Sequence, residues 1–200
     1  MTYELFIGLA IFAFVTSITP GPNNLMLMAS GLNYGFRRTL PHMLGVGIGF
    51  TLMIFLVGLG LKEMLDTYPK MNVVLNIISF GLLLFLAYKI ASSGKVGEQA
   101  ARKKEKPISF IQAAAFQWTN PKAWVMAVTA ISTYAPTQPS IISFVLIALI
   151  FGAINLPSVS LWVCLGDTLK NFFNTTLKLK IFNYSAAFLL IATMIPMLIR

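Results

Sequence analysis

Two short polar stretches hold the residues best suited to handling a small charged molecule. The first is Thr19-Pro20-Gly21-Pro22-Asn23-Asn24, inside an apolar run from about Tyr3 to Ser30. The second is Thr119-Asn120-Pro121-Lys122, inside a run from Ile108 to Tyr134. Proline removes a backbone donor and clashes with the preceding turn, and glycine loosens a helix, so each stretch breaks one. A helix restarted at Pro22 or Pro121 carries proline at its first position, and Asn120 is suited to be the N-cap of the second. A helix start offers unpaired N–H groups and partial positive charge, which favours an anion. Lys122 adds an ammonium deep in an apolar run, where ionisable residues are costly and mark functional sites by default. The chemistry implied is the holding of a carboxylate. The structural alternative is a lysine that snorkels or pairs with backbone carbonyls.

Asn23 and Asn24 can line the same cavity or simply cap the restarted helix. An amino-acid ligand also carries an ammonium, and no acidic residue lies deep in an apolar run: Glu4 and Asp167 fall near ends, and Glu63, Asp66, Glu98 and Glu105 in loops or flanks. The ammonium is left with carbonyls of the unwound segments, Asn155, or the face of Trp118, Trp124 or Trp162. A second positive charge would lack a partner, which favours neutral or small polar substrates. The expected substrate-binding set is Pro20, Gly21, Pro22, Asn23, Asn24, Asn120, Pro121, Lys122 and Asn155. A carboxylate to carry coupling protons is not evident.

Bond-making chemistry has little to build from. His42 and Cys164 are the only histidine and cysteine. Nucleophile–base pairs, paired thiols and metal clusters all need more. No catalytic residue, metal site or cofactor is expected, and the chain is not read as an enzyme. Hard cations want acidic oxygen sites, which the apolar runs lack.

The elements that must position these residues are membrane helices. The chain is 57% hydrophobic and only 10% charged, against about 25% charged for soluble chains, and its apolar runs are of bilayer length. Six spans are expected: Tyr3–Leu32 (broken), Leu40–Leu61, Met71–Ser92, Ile108–Tyr134 (broken), Ser140–Gly166 and Ile181–Ile199. The fold class is an all-α polytopic membrane protein, one transmembrane domain over residues 1–200. A polar loop at 93–107 divides it into repeats 1–92 and 108–200. Three spans per half put the halves in opposite orientations, and breaks at matching places in two halves point to a transporter site at an inverted repeat. The first run lacks the basic start of a signal peptide and is read as an uncleaved span.

The net charge of +9 reflects topology, not nucleic-acid binding. Arg37 and Arg38 follow span one; Lys89, Lys95, Arg102, Lys103, Lys104 and Lys106 fall around the central loop; Lys170, Lys178 and Lys180 follow span five. Lys62, Lys70 and Arg200 lie at the other side. The positive-inside rule makes the richer side cytoplasmic and puts both termini outside. Gly45, Gly47 and Gly49 suit close helix packing, and Gly31 and Gly35 suit packing and the turn out of span one. His42 reads as interfacial, Cys164 as a small buried residue, and the tryptophans as belt or packing groups.

These motifs resemble the LysE/RhtB family of amino-acid exporters. The resemblance is carried by Thr19-Pro-Gly-Pro-Asn-Asn24, by Gly35-Phe36-Arg37-Arg38 with Gly45 and Gly49, by Asn120-Pro121-Lys122, and by Asn155, Trp162 and Gly166. It covers essentially the whole chain. It implies a bacterial inner membrane and export of small neutral amino acids driven by the proton motive force. Lys106-Pro-Ile-Ser-Phe110 and Ala130-Ile-Ser-Thr133 look most like the cysteine and O-acetylserine branch; homoserine or threonine remain open. The partners implied are an amino-acid substrate, lipid and coupling protons, with a homodimer left open and nucleic acid excluded. A non-transporting scaffold, or a carrier of another small solute or ion, are the alternatives.

Overall fold

The computed structural model describes residues 1–60, 67, 69–93, 106–173 and 175–192. All regular structure among them is helical: α1 (Tyr3–Ile18), α2 (Pro22–Tyr34), α3 (Phe36–Gly58), α4 (Pro69–Ala91), α5 (Phe110–Gln117), α6 (Pro121–Tyr134), α7 (Ile141–Thr168), a 3-10 turn (Leu169–Asn171) and α8 (Thr176–Ala192). Local sequence sets several starts. Thr2 caps α1, and capping boxes open α5 (Ser109 with Gln112) and α7 (Ser140 with Ser143), each satisfying two otherwise orphan N–H groups.

Among the described residues, α3 and α7 are each long and apolar enough to cross a membrane, with mean hydropathies of 2.0 and 2.2. The α1–α2 pair, bent by 54° at its break, is apolar enough when taken together for a broken span or a re-entrant loop. The expected fourth span is two helices, α5 and α6, meeting at the second break. The expected third span coincides with α4, and the sixth begins at α8; residues 94–105 of the central loop and 193–200 of the last span lie outside the described residues. Large apolar side chains cover the periphery, among them Ile77, Ile111, Val125 and Phe188, each about two-thirds exposed or more. Such a surface is that of a lipid-facing protein.

The packing order repeats. Helices α3 and α7 lie against each other, as do α4 and α8. Helices α1 and α2 pack on α7, and their counterparts α5 and α6 pack on α3. Helices α3 and α7 run antiparallel: Gly58 faces Phe144, Thr51 faces Gly152, and Gly47 faces Leu156. Closest approach is between α2 and α7. A Cβ on Gly31 would strike the Val163 carbonyl, and one on Gly166 the Met28 carbonyl. Gly45 and Gly49 likewise admit α5, against Phe110, Ala113 and Ala114. The packing role expected of these glycines is what the structure shows.

Gly35, with φ of 86°, turns α2 into α3 in a conformation that suits glycine. At this end of the bundle the Phe36 N–H donates to Asp167 (3.3 Å), which also pairs with Lys170 (2.6 Å). Tyr34 bonds Ser93 (2.8 Å), and Asn183 Nδ2 donates to the Ser93 carbonyl (2.6 Å). The ends of α2, α4 and α7 therefore meet, bringing the three basic connections to one end. Lys89, inside the expected third span, lies in the last turn of α4 and donates to the Pro107 carbonyl at 2.9 Å. Two readings are corrected. His42 is not interfacial but fully buried, with no hydrogen-bond partner on either ring nitrogen. Cys164 is not buried but exposed.

Candidate functional site

The first break is explained by bookkeeping of backbone carbonyls. Pro20 and Pro22 have no N–H, so Thr16 and Ile18 lose the donors that a continuous helix would give their carbonyls. The Thr19 hydroxyl takes over Thr16 (3.0 Å), and Trp162 Nε1, from α7, takes over Ile18 (3.2 Å). Asn24 Nδ2 reaches back to the carbonyls of Ser17 and Thr19, both at 2.8 Å. Lys122 Nζ completes the set, donating to the Thr19 carbonyl (2.8 Å), the Thr19 hydroxyl (2.9 Å) and the Pro20 carbonyl (3.3 Å). Buried carbonyls without such donors would each cost roughly 1–3 kcal/mol.

At the second break, Pro121 deprives the Gln117 carbonyl of its donor, and the Asn120 N–H supplies one at 3.3 Å. Trp124 Nε1 donates to the Trp118 carbonyl at 2.9 Å. The Asn120 side chain accepts from the Lys122 N–H at 3.1 Å, as a cap should. The two breaks are tied directly: Asn23 and Gln117 exchange amide hydrogen bonds at 2.8 and 3.2 Å.

Between the breaks lies a small cavity, open at its mouth. Among its walls are Ser17, Gly21, Asn23, Asn24, Asn120, Lys122 and Asn155, with Phe50 and Met126 as apolar sides. Phe50 and Asn155 sit past mid-length of α3 and about halfway along α7, which places the cavity at mid-depth in the bundle. Asn155 donates to Ser17 Oγ at 2.9 Å, and its Oδ1 is buried without a partner. The Lys122 stem runs so close to Gly21 that a Cβ there would stand 2.8 Å from Cδ. The two helix starts differ. α2 has no side-chain cap, whereas α6 is capped by Asn120, so α2 keeps the open N–H groups that an anion prefers.

Of the expected residues, Gly21, Asn23, Asn24, Asn120, Lys122 and Asn155 meet at this cavity. Pro22 and Pro121 start their helices as expected but are not among its walls, and Pro20 contributes its carbonyl. Asn24 serves the end of α1 as a reverse cap. Trp162 and Trp124 hold break carbonyls instead of forming a belt.

Similarity to known proteins agrees with this architecture. A family model described as LysE type translocator matches residues 14–199. The chain belongs to the LysE-type translocator family. Its members are membrane transporters, not enzymes, and this translocator is a multi-pass membrane protein. It is 30% identical over 177 residues, 86% of this chain and 88% of the other, to a cysteine/O-acetylserine efflux protein of Escherichia coli (strain K12). A protein of the same description from Salmonella typhimurium is 29% identical over 147 residues, 73% of each chain. One from Klebsiella pneumoniae is 25% identical over 174 residues, 86% of this chain and 87% of the other. No solved structure matches.

Sequence reasoning missed Ser17, Gln117 and Phe50. Gln117 was detectable, as an amide in an apolar run three residues before Asn120. Ser17 and Phe50 carry no such signal, because only the packing of α1 and α3 turns them inward.

Proposed function

We propose that this translocator exports small neutral amino acids or their derivatives, of the cysteine/O-acetylserine class, across the bacterial inner membrane, driven by the proton motive force. One observation carries the reading: a mid-depth cavity joins both helix breaks and presents the uncapped start of α2 beside the Lys122 ammonium. Both features favour a carboxylate, and low dielectric strengthens them. Similarity to cysteine/O-acetylserine efflux proteins supports the substrate class.

The reading includes six spans in two inverted repeats. The exchange symmetry of the packing, α1 on α7 matching α5 on α3, supports it. So does the antiparallel course of α3 and α7. The meeting of the basic connections at one end supports a cytoplasmic assignment for that end and outside termini. In transport, the two breaks are where the halves can part, because Asn23–Gln117 and Lys122–Thr19 bind one half to the other at these points.

The test is transport by the purified full chain in proteoliposomes. Labelled cysteine should move faster with an imposed proton gradient than without one, and Lys122→Met should abolish the difference. Wild-type rates equal to empty liposomes for cysteine, O-acetylserine, homoserine and threonine would refute the proposal.

A further inference from the structure

We propose that the oxygens now holding the Lys122 ammonium form the subsite for the substrate's own ammonium, with Lys122 seated there as a built-in competitor. The inference rests on the reading of the cavity as an amino-acid site and adds what the other end of the substrate does.

Donor counting carries the argument. A lysine ammonium has three N–H donors and no acceptor. Lys122 Nζ has three oxygens within reach, the Thr19 carbonyl, the Thr19 hydroxyl and the Pro20 carbonyl. Seated there, it has no donor left for a carboxylate. To hold a carboxylate it must leave, and the three oxygens then need another donor. An α-ammonium carries the same three donors. The exchange conserves charge-assisted hydrogen bonds: the substrate's ammonium takes the three oxygens and Lys122 turns to its carboxylate.

Three further observations fit. Among the described residues, no carboxylate lines the cavity, so an ammonium entering it must be met by neutral oxygens. Asn155 Oδ1, in a residue only 4% exposed, lines the cavity with no donor and offers one more such oxygen. The lysine stem lies in a slot made by the missing side chain of Gly21, and Gly21 is in extended backbone with φ of −176°, which any residue adopts. Space for the lysine, not backbone conformation, is what glycine provides here.

The device selects for the zwitterion. An amine without a carboxylate would displace Lys122 and leave it unpartnered; an acid without an ammonium would draw Lys122 out and leave the three oxygens bare. Only a ligand with both groups satisfies both sides.

The experiment measures equilibrium binding of 2-aminoethanethiol (ammonium only) and 3-mercaptopropanoate (carboxylate only) to the purified full chain, wild type and Lys122→Met. With the competitor removed, 2-aminoethanethiol should bind at least about tenfold more tightly to Lys122→Met than to wild type. Adding Thr19→Val, which deletes one of the three oxygens, should reverse much of that gain. The same or weaker amine binding in Lys122→Met, including none, overturns the inference. Loss of 3-mercaptopropanoate binding in that variant speaks to the carboxylate reading alone, so the two can fail separately. The 15N NMR signal of the Lys122 ammonium in the unaltered protein gives a second readout. Saturating 2-aminoethanethiol should shift that signal and speed its hydrogen exchange several-fold, and an unchanged signal overturns the inference even if the variants do not fold.

Discussion

Replacing Asn24 with leucine tests whether the first break is held by specific donors or tolerated by loose packing. Leucine resembles asparagine in branching, so the side chain still fills its site; what it loses is the amide. Nδ2 now donates to the Ser17 and Thr19 carbonyls, both at 2.8 Å, and Asn24 is only 3% exposed. The Thr19 carbonyl retains Lys122. Among the described residues the Ser17 carbonyl has no other side-chain donor, so it would then bear a desolvation cost of roughly 1–3 kcal/mol. Side-chain hydrogen bonds between membrane helices average only about 0.6 kcal/mol, because the unfolded chain in lipid finds other partners. A carbonyl orphaned next to two prolines has fewer alternatives, so the larger figure should prevail. We expect Asn24→Leu to destabilise by about 2 kcal/mol, measured by reversible denaturation in detergent. Faster hydrogen exchange should be confined to the end of α1. A loss under about 0.5 kcal/mol, or exchange spread evenly over the bundle, would refute the carbonyl bookkeeping.

Other consequences are open to direct measurement. Asn23→Leu leaves Gln117 Oε1 without its donor, although Nε2 keeps the Ala113 carbonyl at 2.9 Å, and Gln117→Leu leaves the Asn23 amide unpaired; each should cost about 1–3 kcal/mol, whereas the double replacement should be nearly neutral, and additive losses in that cycle would show that the amides do not interact. Gly166→Ala should prevent accumulation of folded protein, because the new methyl strikes the α2 backbone at Met28, while Gly81→Ala, with nothing within 4 Å, should be silent in thermal stability. Equal behaviour of the two would contradict the α2–α7 contact. A reporter fused after Arg200 should be active only when the reporter works outside the cytoplasm; the opposite pattern would reverse the proposed orientation.

Much of the site was legible because its residues violate local rules. Prolines in apolar runs, a lysine far from any end and Asn120 before Pro121 are each costly or directive without their neighbours. The prolines start their helices and Asn120 caps α6 as expected, while Lys122 rests on backbone carbonyls, the structural alternative. What could not be read were the partners chosen across the bundle. Nothing in the local pattern shows that Trp162 serves the Ile18 carbonyl, or that Lys122 rests on Thr19; those pairings depend on how closely α2 meets α7 at Gly31 and Gly166. His42 and Cys164 were also misplaced. Cys164 lies on α7, apolar nearly all round, where periodicity does not tell a lipid-facing position from a buried one, and His42 lies two turns into α3 beside Arg37 and Arg38, which suggests an interface.

The central claim is that Lys122 and the open start of α2 hold a carboxylate. Its most direct test is the ratio of affinities for cysteine and cysteinamide, which share an ammonium and differ in the negative charge, in wild type and Lys122→Met. Charge-assisted hydrogen bonds contribute about 1.5–3 kcal/mol, so the wild-type preference for the acid should fall by about tenfold to a hundredfold in the variant. An unchanged ratio would mean that Lys122 is a structural cap for the Thr19 and Pro20 carbonyls and that the carboxylate, if bound, is held elsewhere.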